Sequence, residues 1–184
     1  HSFPNTTLFR SKILTPAAYV NALRIVLAAG GSTNALVHLT AMAGRSGIGI
    51  DLEGFDRLGR ETPVLVDLKP TGKHYMEDLH RAGGLTPILK ELAPMLDLSC
   101  LTVTGKTLGE NIAAAKPAFP QEVIRPLANP IHRGGAMAVL RGNLAPEGAV
   151  IKQAAADPAL LQHEGRAVVF ENLADLSARI DDPG

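Results

Sequence analysis

The chain has 184 residues, 46% of them hydrophobic, which is enough to build a core in one domain or two small ones. Its eighteen basic and eighteen acidic side chains cancel. The balance leaves no electrostatic footprint for nucleic acid or an anionic membrane, and no apolar run reaches the roughly 20 residues that span a bilayer. Cys100 is the single cysteine, so an internal disulfide is excluded, one thiol by itself makes no zinc or iron–sulfur site, and a soluble protein of the reducing cytoplasm is expected.

Residues 1–11, HSFPNTTLFRS, show no helical or strand period and no signal-peptide pattern, and they resemble the translation of a sequencing adapter. A non-native scar or a disordered tail is expected there. Thr15 before Pro16 reads as a helix start, with Val20, Leu23 and Leu27 on one face. Gly30 and Gly31 can take the left-handed conformation that ends a helix, and Ser32 or Thr33 can cap the next one, whose apolar side carries Leu36, Leu39 and Met42. DLEGFDRLGRETP, from Asp51, reads as a short helix and PVLVDL, residues 63–68, as a buried strand of the parallel type. YMEDLHRAGG, residues 75–84, predicts a helix stopped by a glycine pair, and LTPILKELAPML predicts another.

After Lys116 the texture changes, because Pro117, Pro120, Pro126 and Pro130 cannot lie within a sustained helix. A domain boundary is expected there, dividing the chain into residues 12–116 and 117–184. AMAVLRGNLAPEGAVIK, residues 136–152, predicts two strands about a turn carrying Pro146 and Gly148; RAVVF, residues 166–170, predicts a third strand, and ENLADLSARI a helix. RIDDPG follows with no closing element, so a fragment is expected.

A helix start presents unpaired amides and a partial positive charge, so GGSTN offers donors to a carboxylate or a hydroxylated ligand. Any tight helix junction would use the same residues, and His38, one turn after Asn34, is more simply read as packed. TVTGKT, residues 102–107, imitates a phosphate loop, but the position five before Gly105 is Cys100 where that motif needs glycine. Asp78 and His80 are two apart and do not share a helix face, although another element could bring them together. Lys69, Lys73 and His74 form a basic loop able to meet an anion. No Ser-His-Asp order, HExxH or CxxC is present.

Taken in succession, ILTPAAYVNALRIVLAAGGSTNALVHLTAMAGR, PVLVDLKPTGKHYMEDLHRAGG, CLTVTGKTLGENI and VLRGNLAPEGAVIK resemble the dihydroxy-acid dehydratase/6-phosphogluconate dehydratase family over residues 12–184. The resemblance implies an α/β fold: part of an α/β/α amino-terminal domain, followed by the start of a β-barrel carboxy-terminal domain, in a full chain about three times as long. It implies a hydro-lyase that dehydrates a 2,3-dihydroxy carboxylate to a 2-keto acid with an iron–sulfur cluster (2Fe-2S or 4Fe-4S) and magnesium. In such chemistry a Lewis-acidic iron assists departure of the C3 hydroxyl and a base takes the C2 proton. The family's cluster cysteines, magnesium ligands and base lie in motifs this chain lacks, so no catalytic residue and no metal ligand is assigned, and the fragment alone is expected to be inactive.

What carries over from the resemblance is a substrate-binding role for Gly31, Ser32, Thr33 and Asn34, and for Asp78 and His80. The tail LLQHEGRAVVFENLADLSARIDDP resembles the sugar-acid members more than those of valine and isoleucine synthesis. A small hydroxy-acid substrate and a homo-oligomer, dimer or tetramer, are implied as partners. The alternatives are a branched-chain dihydroxy-acid dehydratase and a non-catalytic anion-binding module.

Overall fold

The computed structural model describes residues 6–116 and 120–182, with the backbone alone for residues 6–9. Residues 1–5 of the expected scar, Pro117 and the last two residues lie outside the described residues. A helix, α1 (Thr6–Ile13), occupies part of the stretch in which no period was read. Next come α2 (Pro16–Ala28), α3 (Thr33–Arg45) and α4 (Leu52–Glu61), each started by a side-chain cap. Thr15 Oγ1 accepts from the Ala18 amide at 3.2 Å, Ser32 Oγ from Ala35 at 3.2 Å, and Asp51 Oδ1 from Gly54 at 2.6 Å. Helices α5 (Met76–Arg81), α6 (Leu85–Leu92) and α8 (Leu173–Arg179) follow in the order that the spacing predicts, and α7 (Leu108–Ala114), for which no helical spacing was read, lies between the last two.

Burial departs from the expected faces in two helices. On α2, Leu23 and Leu27 are buried while Val20 is exposed; on α3, Leu36 and Ala43 are buried while Met42 is exposed. Two clusters of buried side chains result. One joins Ala28, Leu65, Val66, Ile88, Leu92, Val123 and Ile124; the other joins Leu27, Leu36, Phe55, Val64 and Met137.

PVLVDL is buried as expected, but it is not a strand of a parallel sheet. Val64 and Val66 make single antiparallel bridges to His132 and Ile124. The Val64 amide donates to His132 O at 2.8 Å, Asp67 to Val123 O at 2.9 Å and Arg125 to Leu65 O at 2.8 Å. The returning segment carries Pro126 and Pro130, which lack a backbone donor and break what would be a ladder into isolated pairs.

The chain thus passes back through the core after Lys116 and then forms a hairpin of β1 (Ala138–Gly142) and β2 (Ala145–Ile151). Pairing runs Ala138 to Ile151, Val139 to Val150 and Leu140 to Ala149, then slips so that Gly142 faces Ala145. The turn falls at Asn143 and Leu144. Pro146 and Gly148, expected in that turn, instead lie within β2 at the slip, where proline gives up no ladder donor and Gly148 takes φ 107°. RAVVF does not pair; Val168 and Val169 are exposed, because strand-forming residues need an edge to add to.

The architecture is therefore mixed α/β in the coarse sense, helices with one small antiparallel sheet. Among the described residues no parallel sheet forms an α/β/α sandwich and no barrel closes. No helix of the described residues is long and apolar enough to cross a membrane.

Leu144 is 97% exposed and Val169 78%, alongside Val37, Leu173 and Ile180. Apolar surface of this extent drives association. Sedimentation velocity over a concentration series is expected to show self-association of this chain; a single monomer boundary throughout would contradict the exposure.

Candidate functional site

The α2–α3 junction is built from backbone requirements. Gly30 and Gly31 take φ 94° and 79°, conformations that carry a steric cost for any residue with a Cβ. The Gly31 amide reaches back to Val26 O at 2.8 Å and Gly30 to Leu27 O at 3.0 Å, which satisfies the carbonyls at the end of α2. Ala28 O meanwhile accepts from both Leu65 and Val66, at 2.8 and 3.2 Å, tying the helix end to the buried extended segment.

Ser32 then caps α3, and Ser32, Thr33 and Asn34 are exposed. The Ser32 hydroxyl serves Ala35 and its carbonyl serves Leu36, at 3.2 Å each, so the amides of Thr33 and Asn34 have no intrahelical acceptor. Two amides, the Thr33 hydroxyl and the Asn34 carboxamide face outward at the positive end of a thirteen-residue helix. An arrangement of this kind can hold a carboxylate and adjacent hydroxyls. The structure therefore gathers Gly31, Ser32, Thr33 and Asn34 into one group.

Asp78 and His80 belong to a different part of the molecule. Asp78 Oδ2 accepts from the Tyr75 amide at 2.8 Å, which starts α5, and lies 4.0 Å from His74 Nδ1; on its other side His74 Nε2 lies 4.0 Å from Asp67 Oδ2. Asp78, His74, Arg81, Gln121 and Glu122 line a shallow cleft of about 260 Å³. His80 is exposed and is not among the residues lining it. No hydrogen bond or ion pair of the described residues joins these two side chains to residues 30–34. The two groups also rest on different cores, since Leu79 of α5 and Ala82 just after it pack in the cluster of Leu92, and Leu36 in that of Met137.

Of the basic loop, Lys69 Nζ donates to the Tyr75 hydroxyl at 2.5 Å and sits 4.0 Å from its ring centre. The Lys73 amide donates to Asp67 Oδ1 at 3.0 Å. The Lys69 ammonium thus has a local partner, whereas the bond at Lys73 is made by its backbone and leaves that exposed side chain unassigned. TVTGKT is likewise occupied by its own side chains. Thr102, Thr104 and Asn111 bond to one another, and Glu110 Oε2 accepts from the Thr107 amide and hydroxyl at 2.7 and 2.8 Å. A phosphate arriving at α7 would meet that carboxylate.

An iron–sulfur cluster or magnesium finds no fitting donor set among the described residues. Among the described residues no three His, Cys, Asp or Glu side chains gather to hold a metal. Burial, with the Asp97 carboxylate nearby, pushes the Cys100 thiol above its usual value, and its sulfur lies 3.5 Å from Asn21 Nδ2. A thiol held protonated is a poor ligand.

Sequence reasoning missed Met137. A Cβ built on Gly31 would lie 2.5 Å from Met137 Cγ and 2.8 Å from its sulfur. No local pattern marks a contact made across so many residues; the only signal was an apolar Ala-Met pair after two glycines.

The protein is thus a mixed α/β chain with a helix mouth open at its surface. It belongs to the dihydroxy-acid/6-phosphogluconate dehydratase family, whose amino-terminal model matches residues 3–111 and whose carboxy-terminal model matches residues 122–183. L-arabonate dehydratase of Azospirillum brasilense is 51% identical over 178 residues, 95% of this chain and 30% of its own length. Dihydroxy-acid dehydratase of Methanothrix thermoacetophila is 49% identical over 88% of this chain and 30% of its own. L-arabinonate dehydratase of Rhizobium leguminosarum is 47% identical over 94% of this chain, again 30% of its own length. The chain spans about 30% of these curated relatives.

Gly31→Ala is expected to destabilise the fold by at least about 1–2 kcal/mol from the backbone alone, with the Met137 clash added; urea denaturation measures it. A second expectation concerns pH. The Thr107 amide and hydroxyl hold the Glu110 carboxyl below its ordinary value. Because the folded value is depressed, the stabilisation is present at neutral pH and disappears as pH falls through the lowered value. Glu110→Gln should therefore flatten the acid limb of a urea-midpoint against pH curve; an unchanged limb would contradict the assignment.

Proposed function

We propose that this chain is the part of a hydro-lyase that receives a 2,3-dihydroxy carboxylate, and that the whole protein converts it to a 2-keto acid. The observation that carries this reading is the pair of unpaired amides at Thr33 and Asn34, beside two side chains able to bond hydroxyl groups, in a chain of the dehydratase family. In this role the Thr33 and Asn34 amides hold the carboxylate, while the Thr33 hydroxyl and Asn34 carboxamide orient the substrate hydroxyls. Gly31 keeps the backbone close. Asp78 and His80, which lie apart from that mouth, are further substrate contacts that the family resemblance implies.

The reaction removes the C2 proton and the C3 hydroxyl as water, and the resulting enol becomes the keto acid. No residue here is assigned to either transfer. The iron–sulfur cluster and magnesium that the family resemblance implies are assigned to no residue of this chain. Residues 117–184 as the start of a β-barrel domain, a boundary near Lys116, a non-native origin for residues 1–11, a cytoplasmic location and a homo-oligomer belong to the same proposal.

A sugar acid is the favoured substrate. The tail's resemblance supports it, and the relative named for L-arabonate stands at 51% identity against 49% for one named for a dihydroxy acid. The test is an assay of the full-length protein, purified anaerobically, with L-arabonate and with dihydroxyisovalerate. Keto-acid release is expected with a faster rate on the sugar acid. Release from dihydroxyisovalerate alone would reverse the substrate choice, and release from neither would overturn the hydro-lyase reading.

A further inference from the structure

The α2–α3 junction is supported on one side only. A Cβ at Gly30 would meet nothing within 4 Å, whereas one at Gly31 would run into Met137. Met137 is 1% exposed and packs in the same cluster as Leu27 in the last turn of α2 and Leu36 in the first turn of α3. Its side chain therefore fills the angle between the two helices beneath the glycine that joins them.

The backbone carrying Met137 is itself clamped. The Gly135 amide donates to Gly59 O at 2.9 Å, a Cβ on Gly134 would collide with Arg60 O, and one on Gly59 would lie 2.9 Å from Met137 O. Two residues on, the Val139 amide donates to Asp56 Oδ1 at 3.0 Å. The root of the hairpin is thus laid against the end of α4 at a distance that only glycines allow, and its methionine is pressed under the mouth of α3. A thioether on an unbranched stem suits this place because it conforms to an irregular gap.

We propose that Met137 is a positioning residue: by wedging under Gly31 it sets the pose of Ser32, Thr33 and Asn34, and so the affinity of the mouth for its hydroxy carboxylate. The inference rests on the substrate reading of that mouth given above. Met137 touches no substrate; it acts through the glycine. Truncating it leaves the junction free to tilt, so substrate binding weakens while the reacting groups, supplied elsewhere, remain.

The test uses the full-length protein with steady-state kinetics and this chain with amide hydrogen exchange. Met137→Ala should raise KM by at least about fivefold with kcat within about twofold, and Met137→Leu should restore KM. Leu92→Ala empties a buried site in the other core cluster and should lower the melting temperature without moving KM. In the chain, Met137→Ala should speed exchange at the Gly31, Ala35 and Leu36 amides and leave those of Ile88 and Leu92 unchanged.

An unchanged KM in Met137→Ala, or an equal rise in Leu92→Ala, overturns the inference. Asn34→Ala separates the two claims. If it raises KM while Met137→Ala does not, the positioning role alone falls; if it leaves KM unchanged, the substrate reading falls. If the full-length protein turns over neither substrate, the exchange comparison decides whether Met137 holds the junction, and equal exchange in wild type and variant overturns it.

Discussion

The last turn of α2 is where the two halves of the core meet. Ala28, fully buried, belongs to the cluster built around Leu92, and its neighbour Leu27, also fully buried, belongs to the cluster built around Phe55 and Met137. The carbonyl of Ala28 takes the amides of Leu65 and Val66. One helix end therefore anchors the buried extended segment, both clusters and the junction that follows. Burial of these side chains is the dominant favourable term, and the two positive-φ glycines are the cost of turning the chain immediately afterwards.

This placement explains how an exposed mouth can be well defined. Exposed loops are usually mobile, yet residues 30–34 join and begin helices whose facing side chains are buried, above a methionine that fills the space below. The unpaired amides at the start of α3 are then held at a fixed orientation toward solvent. A preorganised donor pair loses little on binding, which is what a site for a small, strongly hydrated carboxylate requires.

Much of this was legible in the sequence, and the misses share one cause. Capping residues and glycine pairs act within a few positions, so Thr15, Ser32, Asp51, Gly30 and Gly31 mark the ends of α2, α3 and α4 from local chemistry. The junction that carries Ser32, Thr33 and Asn34 was readable for the same reason. The partners of residues 63–68 were not, because a run such as Val64, Leu65 and Val66 reports burial without saying which segment pairs with it. The prolines after Lys116 read as a break, yet Val123 and Ile124 return to the core between them. RAVVF has strand-forming residues but no edge to join, and the closeness of Met137 to Gly31 depends on packing between distant segments, which no window along the chain contains.

The central claim is that the amides of Thr33 and Asn34 receive the carboxylate of a hydroxy acid. The most direct measurement is residue-resolved hydrogen exchange on the full-length protein with and without a saturating, unreactive 2-hydroxy carboxylate. The account predicts slowed exchange at these two amides with little change along α6. Protection confined to other segments, with Thr33 and Asn34 exchanging as fast as before, would contradict it.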